Sequence, residues 1–584
     1  MKRAFHSDSS RRTDRDSGVD YCNQTQGVID MAGCFRLCAM VVACLVLAAA
    51  ASASGPGAAS QDDAAQPSLP GGFEFIPADA RAAVIIPNLK RASDEMTQLL
   101  EGMERAEMLV GLRPIDQLRA LLGLNAAVHE AGSALLILPA GGAGNQPLFL
   151  VPVINPVDFL ETSFDPVPDG PPNAYLHPTG RTLFAKSLES HVALSEDQAL
   201  IDSFEPGAAF NAALAERLGP RALQLMRRGE IILYADAGMM DQLGQTQAPW
   251  MSLFGEFMPP MDLLDAVDAS ITILDFDPLG LGVHGLLFLN PENPFGTAGA
   301  GEARPAASLS HLPAKPFYVA GSIDLRAFGG LELLSTMTAG LFEVPQWIAG
   351  LRGIEFVASP SPLGLQGGML NEAVIYLEAD DPNGALEFIR REVLGRAEAT
   401  PVRNVMPKWE QAKREIEGIQ VDAFEIAVTE TPPDAIHQLI RTTVFGRRGI
   451  NGFVGVVDSG LILTFSQRPD VFAAAVKAQR EGQSLAEDAV LVQMRTWLPP
   501  DSDFELFVGM GQFSKMISQF ASVFGVAAGT IPEIDPATKP IAMAADLQDG
   551  LIETGLVIPS DVLAIIFDNL VEQWMAAEET MTGN

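Results

Sequence analysis

From residue 80 onward the chain is punctuated by short apolar runs, some alternating with polar positions, each closed by an Asx, Ser or Gly and followed by an amphipathic segment. VIIPN ends at Asn88 and leads into a segment with Met96, Leu99, Leu100 and Met103 on one helical face. FLVPVINP follows, with Asn155 before Pro156. LFAK and HVAL flank the turn SLES and run into Ser195, and IILYAD leads through Asp236 into Met239, Met240 and Leu243. ITILDF and GVHGLLFL close this series. Period-two runs joined by short polar turns predict antiparallel strands, and the segments after the caps predict helices.

The same order of signals then returns. FYVAGSID ends at Asp324 and leads into Phe328, Leu331 and Leu334; AVIYLEADDP places Asp381 before Pro382. FVGVV, the turn DSG and LILTF run into Ser466, and FELFVGMG leads through Gly511 into Phe513, Met516 and Ile517. IAMAADL and LIETGLVI close the second series. An Asx or Ser side chain before a helix accepts from a free amide of the first turn, and Pro at the first helical position sacrifices no hydrogen bond. Ser195 and Ser466 are therefore read as helix caps, with Gln198 in capping-box position behind Ser195.

The offsets between matched positions are 236 (Asn88 to Asp324), 226 (Asn155 to Asp381), 271 (Ser195 to Ser466) and 275 (Asp236 to Gly511). One insertion of roughly 45 residues in the second series explains the jump; Gly395–His437, with KWEQAKREIEG and TPPD, is the expected place. The reading is an internal duplication in an α+β protein: two similar domains, each a largely antiparallel sheet with helices packed on one face. The first spans 73–289 and the second 308–584, joined by the Gly/Pro/Ala-rich stretch 290–307. Asp561–Met575 closes the chain as a packing helix with Leu563, Ile566, Leu570 and Trp574 on one face.

The N-terminus carries a different signal. Val41–Ala50, VVACLVLAAA, is apolar but shorter than the roughly 20 residues a membrane-spanning helix needs, and Ala51-Ser52-Ala53 fits a small-residue cleavage pattern. Residues 1–53 read as a signal-peptide region cut between Ala53 and Ser54, with no stable membrane span after cleavage. Translation from Met1 gives a long n-region; the alternative, a start at Met31, gives a signal of ordinary length and makes 1–30 a mis-assigned start. Residues 54–72 read as a flexible linker. The destination is periplasmic or extracellular. A lipoprotein anchored through Cys44 is the alternative, from the loose lipid box Val41–Cys44.

All four cysteines, Cys22, Cys34, Cys38 and Cys44, precede the cut, so the exported body has no thiol chemistry, disulfides or Cys-ligated metal. Of 584 residues, 48% are hydrophobic and 19% charged, and the net charge is −35. Such acidity argues against nucleic-acid binding and electrostatic attraction to anionic membranes.

Candidate chemistry is sparse. His129, His177, His191, His284, His311 and His437 show no H-E-x-x-H or H-x-H spacing. Asp275 and Asp277 share a strand-end face, but without the Gly and bidentate Glu of a calcium loop they read as a turn before Pro278. No G-x-S-x-G elbow, S-x-x-K or phosphate loop stands in a supporting context. No cofactor is expected. Trp250–Leu264 is rich in Trp, Phe and Met, and Trp250, Phe254, Phe257 and Met258 form a candidate apolar surface for a partner.

Taken together, the leader, the opening FIPADARAAVIIPNL and hairpins such as LFAKSLESHVALSEDQALIDSF resemble a family of bacterial exported proteins of unknown function, over most of residues 73–558. The resemblance implies export and the repeated strand–Asx–helix plan; it brings no reaction, cofactor or catalytic residue. The expected function is that of a non-catalytic binding or envelope-associated module, its partner an unidentified ligand or envelope protein. The alternative is an exported hydrolase assembling a Ser/His/acid site in space, for which a serine beside His129 or His191 would speak.

Overall fold

The computed structural model describes residues 69–568 apart from 106–112, 125–127, 141–145, 179, 208–209, 211–213, 216, 240–266, 291–307, 328–349, 400–404, 429–441, 445, 447–448, 524–532 and 549. Among the described residues, twenty strands join in one sheet in which every pairing is antiparallel. The protein is thus α+β. One half of the sheet holds β1 (Ala80–Ile86), β2 (Ala134–Pro139), β3 (Leu148–Pro152), β4 (Asp165–Pro166) and β5 (Ala174–Leu176). It also holds β6 (Thr182–Ser187), β7 (His191–Ser195), β8 (Ile231–Asp236), β9 (Val267–Asp277) and β10 (Gly280–Leu289). Their spatial order is 4-5-6-7-3-2-1-8-9-10.

The other half holds β11 (Val319–Asp324), β12 (Leu351–Ala358), β13 (Val374–Ala379), β14 (Val405–Ile416) and β15 (Ile419–Val428). It continues with β16 (Ile450–Val457), β17 (Gly460–Thr464), β18 (Phe504–Val508), β19 (Ile541–Gln548) and β20 (Leu551–Pro559). Their order is 20-19-18-11-12-13-17-16-15-14. Because β10 pairs with β20 from Gly280 opposite Pro559 to Phe288 opposite Leu551, the order reads alike from either edge. Two separate sheets were expected; this junction makes one. The linker 290–307 lies outside the described residues except for Asn290.

Local sequence explains most helix starts. Asn88 caps α1 (Leu89–Gly102) by accepting from the Arg91 amide. Pro114 opens α2 (Pro114–Leu122), and Asn155 caps α3 (Pro156–Ser163) through the amides of Val157 and Asp158. Further along, Asp381 accepts from the Gly384 amide at the start of α6 (Pro382–Ala399). The serine caps are corrected. Asp197 caps α4 (Gln198–Ser203), and Arg468 occupies the cap position of α7 (Pro469–Glu481). Ser195 and Ser466 are instead buried, because the chain runs on past the strand before it turns. Gly511 is not a cap either, since α9 (Met510–Val523) begins before it.

Helices cover both faces of the sheet, not one. On the first face, α5 (Pro220–Arg228) buries Ala222, Leu223, Leu225 and Met226 against Ile85, Ile137, Ile232, Ile271 and Ile273. On the opposite face, Leu89, Leu122, Phe159 and Leu160 cover Ala134, Val151, Val192 and Leu194. The second half repeats the plan, with α7 and α8 (Ala489–Arg495) on the first face and α6 on the other. The reason lies in the strands. β7 and β18 are buried at every position, and a sheet with two apolar faces must cover both. Each fully buried Leu or Ile contributes roughly 1.5–3 kcal/mol.

The expected insertion at 395–437 falls on the sheet's outer end in the second half. There β14 and β15 form a hairpin of 12- and 10-residue strands, where the first half has β4 and β5 of two and three. A bulge with Ala412 at φ 45° interrupts it. The closing helix begins at residue 560 and buries Leu563; residues beyond 568 are outside the description.

Candidate functional site

Following directly opposed residues across the sheet gives one continuous row. In the first half it runs Ala193, Leu150, Leu135, Ile85, Ile232, Ile273 and His284. His284 faces Gly555, and the row continues through Ala544, Glu505, Ser322, Glu355, Tyr376 and Ile462. Place for place, Ile232, Ile85, Leu135 and Leu150 are matched by Glu505, Ser322, Glu355 and Tyr376. Both sets are buried. One half therefore carries a polar tetrad where the other carries aliphatic core, and buried polar groups persist only when partnered.

The partners come from outside the sheet. Arg495, the last residue of α8, forks onto Glu505, with Nε 2.9 Å from Oε1 and Nη2 2.7 Å from Oε2. Residues 308–314 form a strap anchored by the fully buried Leu309 and Leu312. The strap is tied down by the Ala314 amide donating to Gln483 O at 3.0 Å and the Leu485 amide donating to Leu312 O at 2.9 Å. Its His311 meets Glu355 twice: Nδ1 lies 2.9 Å from Oε1, and the main-chain N–H donates to Oε2 at 3.0 Å. The imidazole stacks on the Tyr376 ring at 3.5 Å between centroids and 6° between planes. Tyr376 Oη lies 3.2 Å from Ser459 Oγ. Ser322 Oγ, flanked by the two glutamate positions, is buried with no hydrogen-bond partner. Burial raises the Glu355 carboxyl pKa against the pull of His311, and raises that of Glu505 against Arg495.

A second polar cluster lies at the junction. Arg221 of α5 bonds Glu553 of β20 (Nε to Oε1 2.7 Å) and donates to Leu498 O at 3.2 Å, tying the halves together. Arg228 donates to Asp275 at 2.8 Å. Glu230, 1% exposed, accepts from the Phe276 amide at 2.9 Å and faces Arg91 Nε at 3.3 Å. Burial pushes its carboxyl up to about 7, while the Phe276 amide and Arg91 pull the other way. His284 is held neutral, its pKa lowered to about 4 by burial and by Arg228 and Arg221. Opposite it, a Cβ on Gly555 would meet Pro499 Cδ at 2.9 Å and Leu498 Cδ2 at 3.1 Å, so only one of the two facing positions has room for a side chain.

Asp275 is engaged by Arg228, and Asp277 accepts from the Leu279 amide in a strand-end turn, as expected. Among the described residues no group of three or more His, Cys, Asp or Glu is placed to hold a metal. His129 is exposed. His191 does lie beside serines: Nε2 donates to Ser133 O at 2.8 Å, which leaves Nδ1 to accept from Ser190 Oγ at 2.9 Å. Ala51, Ala53, Ser54, Cys44, His437, Trp250, Phe254, Phe257 and Met258 lie outside the described residues. Among the described residues no helix is long and apolar enough to cross a membrane.

No family model and no curated protein matches this chain. Among solved structures, crystal form I of TP0453 is similar over 41% of this chain and 82% of its own, at 9% identity and a TM-score of 0.20.

The tetrad was missed at the level of sequence, although a signal was present. Ser322 in FYVAGSID, Glu355 in GIEFVA and Glu505 in FELFV each stand where the matched strand position of the first half is aliphatic: Ile85, Leu135 and Ile232. Matching cap positions alone does not reveal this; matching strand positions does.

Proposed function

We propose that this chain is exported and works as a non-catalytic binding or envelope-associated protein built from two halves that arose by duplication. The observation that carries the non-catalytic reading is the engagement of the buried charges. Glu355 and Glu505 are each bonded by a basic side chain of the same half, and Glu553 by Arg221. A general base needs a lone pair aimed at a nucleophile, and these carboxylates aim theirs at the protein's own donors. The palindromic strand order supports duplication, and the leader over residues 1–53 supports export. N-terminal sequencing of the protein from fractionated cells tests the export reading. A mature chain beginning at Ser54 outside the cytoplasm supports it, a diacylated Cys44 selects the lipoprotein form, and an uncut cytoplasmic chain overturns both.

The hydrolase reading keeps one specific observation, the approach of exposed Ser190 to His191 Nδ1. It predicts labelling by a fluorophosphonate that Ser190→Ala abolishes. The non-catalytic reading predicts no labelling of the native chain.

A further inference from the structure

We propose that His311 and Glu355 form a proton-dependent latch that holds the strap 308–314 over the buried polar row. The geometry supplies the argument. Glu355 takes both the ring and the main-chain N–H of one strap residue. Among the described residues its one bonded basic side chain is that imidazole, whereas Glu505 has the permanent charge of Arg495. Two carboxylates and one guanidinium leave the closed row one positive charge short, and a proton shared between His311 and Glu355 supplies it. The groups around the pair and its stacked Tyr376 favour keeping that proton. Glu378 and Asp458 are acidic, and Ser310, whose Oγ is 3.2 Å from His311 Nδ1, is neutral, as are Tyr376 and Ser459.

The first half has no such device. FEFIP (73–77) stands where LSHLP (309–313) stands in the second half, with Phe75 in the place of His311 and Leu135 in the place of Glu355. Phe75 packs its ring against His191 at 4.4 Å. The strap is therefore clamped apolarly in one half and by a proton in the other. This holds whichever function the chain performs.

The test is hydrogen exchange on the full chain from pH 5 to 9, corrected for intrinsic rates, read at the Leu312, Ala314 and Leu485 amides that secure the strap. Losing one proton on opening makes the opening equilibrium rise by up to tenfold per pH unit within the titration window. Glu355→Gln keeps an acceptor but loses the charge, so the strap stays protected and the slope disappears. His311→Phe, which installs the first-half residue, also removes the slope. Its matched double variant with Glu355→Leu is measured alongside and keeps the test decisive should the single variant fail to fold. Opening that is independent of pH in the native chain, or a slope that survives in Glu355→Gln, overturns the latch.

Discussion

Replacing Glu230 by Gln should change how stability depends on pH, in a direction set by the burial of its carboxyl. Burial moves the Glu230 carboxyl from 4.5 to about 7, so the folded chain binds this proton more tightly than the unfolded one. Its contribution is full below pH 4.5 and is lost as pH rises toward 7. At about 1.36 kcal/mol per unit, the loss amounts to about 3.4 kcal/mol. His284 does the reverse. Its pKa falls from 6.5 to about 4, so its contribution is present above 6.5 and lost as pH falls toward 4. Between pH 4.5 and 6.5 the two slopes oppose each other in the native chain. Glu230→Gln retains an acceptor for the Phe276 amide and removes one of the two, exposing the His284 slope of about 1.4 kcal/mol per pH unit. Urea denaturation of both proteins at fixed pH steps, with m held common, gives the difference directly. Groups common to both cancel. The stability difference between variant and native chain should shift by about 3 kcal/mol in the variant's favour between pH 4.5 and 7. A difference that stays flat across that range would falsify the assignment of a buried, proton-bound Glu230.

Three further substitutions test separate parts of the account. Ser322→Ala removes a buried hydroxyl without a partner and should stabilise the chain by about 1 kcal/mol in the same denaturation assay; destabilisation of that size would mean the hydroxyl is engaged. Asp422 accepts from Trp409 Nε1 at 2.7 Å, Arg390 Nη2 at 2.7 Å and the amide of the strained Ala412 at 2.8 Å. Asp422→Ala should cost roughly 3–5 kcal/mol locally, read as faster exchange over 405–428 while exchange in β1–β10 is unchanged. Gly452→Ala would put a Cβ 1.7 Å from Thr464 O, a backbone atom that cannot step aside, and should abolish soluble expression; a folded, native-like variant would contradict the β16–β17 packing.

The order of elements and the antiparallel pairing were legible because apolar alternation and Asx-Pro junctions are local signals, and Asn88, Asn155 and Asp381 act at their helix starts as read. Ser195 misled because a serine at a strand end bonds nearby main chain as readily as it caps a helix, and Ser466 because its hydroxyl is buried without a hydrogen-bond partner. Helices on both faces were missed: reading one polar side into each strand hid the two-sided burial of β7 and β18. The joining of the halves depends on β10 meeting β20 across nearly half of the chain's length, and no window of sequence contains that pairing. The tetrad was invisible for a related reason. Glu355 and Glu505 look like ordinary solvent-facing strand residues until register puts them on the row that is aliphatic in the other half.

The row and the junction both require β10 to lie inside a continuous sheet. Amide-resolved hydrogen exchange of the native chain tests this most directly. With β9 on one side and β20 on the other, all amides from Leu281 to Phe288 should exchange slowly. Protection at alternate amides only, the pattern of a strand with one free edge, would contradict the joined sheet and the matching of its two halves about His284 and Gly555.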